Sequence, residues 1–86
     1  MAAAVDALGR APRRVFLTIG RKEVGAFKEA PQHEYLVRTI DAFDPELPRA
    51  RVIEGRGPFK LAAELALMQR ERIEVVVSKN SGTDAT

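Results

Sequence analysis

Val75, Val76 and Val77 pass directly into Ser78, Lys79, Asn80, Ser81 and Gly82, and this run constrains the fold more than any other. Adjacent β-branched residues without polar alternation fit a strand covered on both faces. In sheets of that kind ligands collect beyond the strands' carboxyl ends. The pattern recurs where Val15, Phe16, Leu17, Thr18 and Ile19 meet Gly20, Arg21 and Lys22. It recurs again where Arg51, Val52, Ile53 and Glu54 meet Gly55, Arg56, Gly57 and Pro58. Three strand ends therefore each offer glycine or polar backbone together with cations.

With 86 residues the chain holds one small domain, able to remove roughly 60–65% of its unfolded surface from water. A composition 45% hydrophobic and 30% charged is that of a globular protein, with only the last few residues expected to be unstructured. Cysteine is absent, which excludes disulfides and thiolate metal sites and is compatible with a reducing cytoplasm. The opening Met1, Ala2, Ala3, Ala4, Val5, Asp6 carries an acid in its apolar run and no preceding basic region, unlike a signal peptide. No apolar run approaches the roughly 20 residues a spanning helix needs, so no membrane role is expected. A net charge of +2, scattered along the chain, with few aromatic residues, argues against a nucleic-acid partner.

Residues 2–8 are rich in helix formers and stop at Gly9 and Pro12, giving a leading helix or linker over 1–13. The sequence predicts a first strand over 15–19, then a turn at Gly20 into a short helix with Val24 and Phe27 on one face, closed by Pro31. Residues 35–40 and 51–54 read as strands two and three. The ten residues between them carry Pro45 and Pro48 and no helical pattern, so this pair is antiparallel, or parallel through a helix-free crossing. Pro58 suits a helix start, with Leu61, Leu65 and Met68 as the buried stripe and Lys60 paired to Glu64 outside. A strand over 74–78 completes a β-α-β-β-α-β order, an α/β fold of about four strands within 14–82, followed by a tail over 83–86. A helix would normally follow that strand and cover it, so the chain reads as a truncated piece of a longer protein.

Three groups carry candidate chemistry. Gly55, Arg56, Gly57 and Pro58 open like a dinucleotide fingerprint, but Lys60 stands where the third glycine belongs and Pro58 removes an amide donor. A plain turn and proline-started helix account for the same residues. Thr18, Gly20, Arg21 and Lys22 offer amides and two cations to a phosphate or carboxylate; cations at a helix start oppose the helix dipole, which favours an anionic partner over a structural role. Lys79, Asn80, Ser81 and Gly82 offer an ammonium, an amide, a hydroxyl and permissive backbone, although a simple turn uses the same residues. If the strands are neighbours in one sheet, Arg21, Lys22, Arg56 and Lys79 share a rim that needs counter-charge.

Other residues are read as structural. His33, the only histidine, is expected in a surface loop, with neither triad nor metal partners. Tyr35 and Arg38 are explained by packing and an edge position. Glu64 and Glu71 are placed on the helix exterior, and Asp41, Asp44 and Glu46 in the proline-containing loop. None forms an acid–base carboxylate pair.

In the segments 15–23, 35–38, 56–59, 64–68 and 77–82 the chain resembles the precorrin-6A (precorrin-6x) reductase family of adenosylcobalamin biosynthesis. Singly these segments are weak; in order they are specific. The resemblance implies a Rossmann-like, three-layer lobe from the carboxyl-terminal part of a two-lobed parent, with NADPH and a tetrapyrrole held between the lobes. The family's amino-terminal lobe is missing here, so catalysis by this segment alone is not expected. The implied reaction is hydride transfer from NADPH to a macrocycle carbon of precorrin-6A, giving precorrin-6B. Precorrins carry many carboxylates, which suits a rim bearing Arg21, Lys22, Arg56 and Lys79, with Thr18, Gly20, Gly57, Asn80, Ser81 and Gly82 as polar contacts to cofactor or substrate. The chain departs from the family at Gly82, Thr83 and Asp84, where a second glycine is usual. The competing expectation is a non-enzymatic α/β module that binds a nucleotide or partner protein at the same rim. Uncovered sheet edges favour association, including a homodimer, in either case.

Overall fold

In the computed structural model, residues 2–55 and 60–78 are described. They form a helix α1 (Ala2–Leu8), strand β1 (Arg14–Thr18), a short helix α2 (Arg21–Val24) running into a 3-10 turn (Gly25–Glu29), strands β2 (Glu34–Thr39) and β3 (Ala50–Glu54), helix α3 (Leu61–Arg70) and strand β4 (Val75–Ser78). The four strands make one parallel sheet in the order β3-β2-β1-β4. This is the expected α/β element order.

Strand alternation divides the sheet into two faces. Val15, Leu17, Tyr35, Val37 and Val77 point to one side, where they meet Leu8 of α1, Val24 of α2 and Phe27 of the 3-10 turn in a single apolar cluster. Val24 and Phe27 are both buried, as the spacing predicts. The β2–β3 connection is parallel and helix-free. Its Phe43 and Leu47 pack against the same cluster, so the loop itself covers the sheet where a crossover helix would otherwise lie. Asp44 Oδ1 accepts the Glu46 N–H at 2.8 Å, Glu46 takes a positive φ of 55°, and Lys28 Nζ reaches Glu46 Oε1 at 2.9 Å; together they fix the loop's shape.

Phe16 and Leu36 are buried on the opposite face, with Arg14, Arg38 and Arg51 at the same parity. All three arginines reach α3 or its end. Arg38 grips both carboxylate oxygens of Glu64, Arg51 pairs with Glu71, and Arg14 Nη1 donates to the Glu71 carbonyl at 3.1 Å. This turns the helix from its expected phase. Glu64, Leu67, Met68 and Glu71 are half-buried, whereas Leu61 is 73% and Leu65 49% exposed, and no side chain of α3 is fully buried. The expected stripe of Leu61, Leu65 and Met68 is therefore corrected. So are the exterior position of Glu64 and its pairing with Lys60, which instead caps α3 through its carbonyl.

Three further expectations are revised. β2, with Tyr35 and Arg38, lies inside the sheet, and β3 and β4 are its edges among the described strands. Val76 of β4 is largely exposed rather than covered, because it stands on that edge. His33 is fully buried: α1 and residues 9–13 fold back across the start of β2, the Arg13 N–H donates to His33 Nδ1 at 3.0 Å, and Tyr35 meets the ring edge-on. Gly9 makes that return possible with φ 78° after the helix, its N–H bonded to the Asp6 carbonyl.

Candidate functional site

A cleft of about 590 Å³ opens at the carboxyl ends of the first three strands. Thr18, Ile19, Gly20 and Arg21 line it after β1, Arg38, Thr39, Ile40 and Asp41 at the end of β2, and Gly55 after β3. The strand order reverses between β1 and β4, the place where open parallel sheets leave a crevice. Thr18 Oγ1 bridges that point, 3.1 Å from Ser78 Oγ and 3.3 Å from the Val77 carbonyl to which it donates.

The Gly20 turn is closed on itself. Its N–H donates to Glu23 Oε1 at 3.1 Å, and a Cβ at position 20 would lie 2.7 Å from that oxygen, so any larger residue there would make the Glu23 carboxylate shift to keep its cap. Arg21 is exposed and holds its guanidinium 5.0 Å from the centre of the Phe43 ring. Among the described residues no carboxylate lies within ion-pairing distance of it. Lys22 is exposed and outside the cleft lining.

Arg38 has a different character. Its side chain is 12% exposed, stacked 5.1 Å over Phe16 and neutralised by Glu64, with Nη2–Oε2 at 2.8 Å. Hydrogen bonds from Arg38 hold the Glu64 carboxyl below its ordinary value, and those from Arg51 do the same for Glu71. Burial pushes the Tyr35 phenol up to about 12, and its hydroxyl donates to the Ala30 carbonyl at 2.6 Å, so Tyr35 serves the fold as a neutral donor.

Of the residues singled out in the sequence, Thr18, Gly20 and Arg21 come together at the cleft. Arg56, Gly57, Lys79, Asn80, Ser81 and Gly82 lie outside the described residues; their chain neighbours Gly55 and Ser78 stand at the ends of β3 and β4. Arg38 and Asp41, which the sequence marks as structural, and Thr39, which it does not mark, also line the cleft, while Phe43, likewise unmarked, supports Arg21. The only signal for Phe43 is that it is the one aromatic residue of the proline-containing loop. A smaller cleft, of about 230 Å³, sits at the opposite ends of the strands, where Glu34 and Glu71 pair with Arg14 and Arg51.

Comparison with known proteins gives the chain's family. Residues 1–86 match the family described as Precorrin-6x reductase CbiJ/CobK. The chain belongs to the precorrin-6x reductase family. A precorrin-6A reductase from a Sinorhizobium species is 49% identical over 85 residues, which span 96% of this chain and 33% of that relative. The enzyme of the same name from Rhodobacter capsulatus is 48% identical over 86 residues, 95% of this chain and 34% of the relative. A solved structure described as CobK precorrin-6A reductase superposes with a TM-score of 0.87 at 46% identity, covering 96% of this chain and 35% of that one. The chain thus spans about a third of the length of the precorrin-6x reductases it matches. The resemblance drawn from the sequence agrees with this family. No helix among the described residues is long and apolar enough to cross a membrane.

Proposed function

We propose that this chain supplies the substrate-facing rim of a cytoplasmic, NADPH-dependent precorrin-6A reductase, which reduces a double bond of the macrocycle to give precorrin-6B in cobalamin biosynthesis. Family membership supports the reaction class. The observation that carries the role of this segment is Arg21, a cation with no carboxylate partner among the described residues, at the mouth of a cleft on the strands' carboxyl ends.

The described turn does not fit a dinucleotide pyrophosphate. The Gly20 amide that would meet a phosphate already donates to Glu23, and α2 is only four residues long before its 3-10 continuation. NADPH, which supplies the hydride when bound, would be held by the rest of the Rossmann-like enzyme. The residues here fit carboxylates. Arg21 offers a planar fork of N–H donors to an acetate or propionate, and the Thr18 and Ser78 hydroxyls add shorter-range contacts. Lys22, Arg56 and Lys79 are proposed as further charges on the same rim, with Gly57, Asn80, Ser81 and Gly82 as backbone and polar contacts. Fixing several carboxylates at once orients the flat macrocycle and displaces water from the cleft.

Steady-state kinetics of the full-length enzyme test the assignment. Arg21→Ala removes a charge-assisted contact and is expected to raise KM for precorrin-6A about tenfold or more, with KM for NADPH little changed. Lys79→Ala should act in the same direction. Unaltered precorrin kinetics in both variants would remove this rim from substrate binding.

A further inference from the structure

Arg21 lines two clefts at once. Besides the 590 Å³ cleft on the strand ends, it borders an adjoining one of about 330 Å³ between α2 and the β2–β3 loop, where Phe43 and Pro45 form one wall and Val24 part of the other. An arginine at a surface ordinarily samples many rotamers, and at a helix start it is opposed by the helix dipole. Here the face of Phe43 meets the guanidinium, and the attraction of a cation to a ring face offsets both effects.

Phe43 is itself held. Its far side packs against the apolar cluster, and the loop around it is fixed by the Asp44 turn and the Lys28–Glu46 pair. That ion pair cancels Lys28 against Glu46, and the Asp44 carboxylate is engaged by the Glu46 N–H, while Arg21 is the cation that borders both spaces without an ion-paired carboxylate among the described residues. Both clefts mix apolar and polar groups: Ile19 and Ile40 lie beside Thr18, Thr39 and Asp41 in the first, and Val24, Phe43 and Pro45 lie beside Lys28, Asp44 and Glu46 in the second. A ligand that suits both is a flat apolar ring with carboxylates at its periphery.

We propose that Phe43 is a positioning residue for Arg21, and that the pair is a specificity element over which a carboxylate-bearing ring extends from the strand-end cleft into the loop cleft. The inference rests on the reading of the rim as the macrocycle's site and adds a residue and a second subsite to it.

The test is a fluorescence titration of the 86-residue chain with uroporphyrin, a soluble tetrapyrrole with acetate and propionate on every pyrrole, with NMR fingerprints confirming that each variant is folded. Phe43→Leu keeps apolar bulk but removes the ring face and is expected to weaken binding about threefold, while Phe43→Tyr stays within about twofold of wild type. Arg21→Lys, which keeps the charge but loses the planar stack, should fall by a similar factor and serves if Phe43→Leu does not fold. Arg21→Ala should fall further, and adding Phe43→Leu to it should cost less than Phe43→Leu costs in the wild-type chain, because the part of its effect that Phe43 exerts through Arg21 is already gone. Additive losses, or wild-type affinity in both Phe43→Leu and Arg21→Lys, would overturn the positioning role while leaving the rim assignment intact. Absence of uroporphyrin binding by the folded wild-type chain would overturn both.

Discussion

The two faces of this sheet are closed by different physics. On one, Val15, Leu17, Tyr35, Val37 and Val77 meet α1, α2, the 3-10 turn and the β2–β3 loop in a continuous apolar cluster. On the other, Phe16 and Leu36 are buried, but α3 is held by Arg14, Arg38 and Arg51 and contributes no fully buried side chain. Apolar burial grows with area and resists salt and acid, whereas ion pairs depend on the charge state of two glutamates. The first face is therefore the scaffold that presents Thr18, Gly20, Arg21 and Phe43. The second is a helix attached by groups that solution conditions can switch.

The largest expected break in this comparison is on the apolar face. Phe27 is fully buried in the cluster, and Phe27→Ala should destabilise the chain by about 3–5 kcal/mol, read by urea unfolding. On the polar face, Glu64→Gln removes the carboxylate that neutralises the 12%-exposed Arg38. Its effect belongs between that of an exposed and a buried pair, about 1–2 kcal/mol in the same assay. Acid should separate the faces without mutation. Because Arg38 and Arg51 lower the carboxyl pKa values of Glu64 and Glu71 in the folded state, their stabilisation is complete above the ordinary glutamate value of about 4.3 and is lost as pH falls through the lowered folded values. Amide exchange across that window is expected to show α3 losing protection before β1 and β2. Simultaneous loss would mean that the helix is held by more than its arginines. The smallest effect is assigned to Leu65→Gln, within about 0.5 kcal/mol, since Leu65 is 49% exposed; a loss comparable to that of Phe27→Ala would restore the buried stripe expected from spacing.

The same division explains what could be read in the sequence. The strands were legible because β-branched runs have few other ways to be buried, and Gly20 marked the first strand's exit. The sequence leaves the direction of the β2–β3 pair open, since the features that make a helix-free crossing work, Phe43 and Leu47 packing inward and the Asp44 turn, follow no periodicity. The phase of α3 was misread because leucine outweighs glutamate in any apolar count, while the pull came from arginines that lie 20 or more residues away in the chain. His33 was misplaced for a related reason: its burial depends on residues 9–13 returning across β2, a long-range event seeded by Gly9. At the site, Thr18, Gly20 and Arg21 were visible as a strand-end motif. Phe43 was not, because its role exists only once the loop brings it beneath a guanidinium.

The measurement that tests the account most directly is an amide-resolved NMR titration of the 86-residue chain with uroporphyrin, repeated with NADPH. Saturable uroporphyrin shifts are expected at Thr18, Gly20, Arg21, Thr39, Phe43 and Gly55 and at the proposed rim residues Arg56, Lys79, Asn80 and Ser81, with NADPH leaving the Gly20 turn unchanged. Shifts gathered instead around Glu34, Arg49 and Arg51 at the opposite strand ends, or NADPH shifts centred on Gly20, would contradict it.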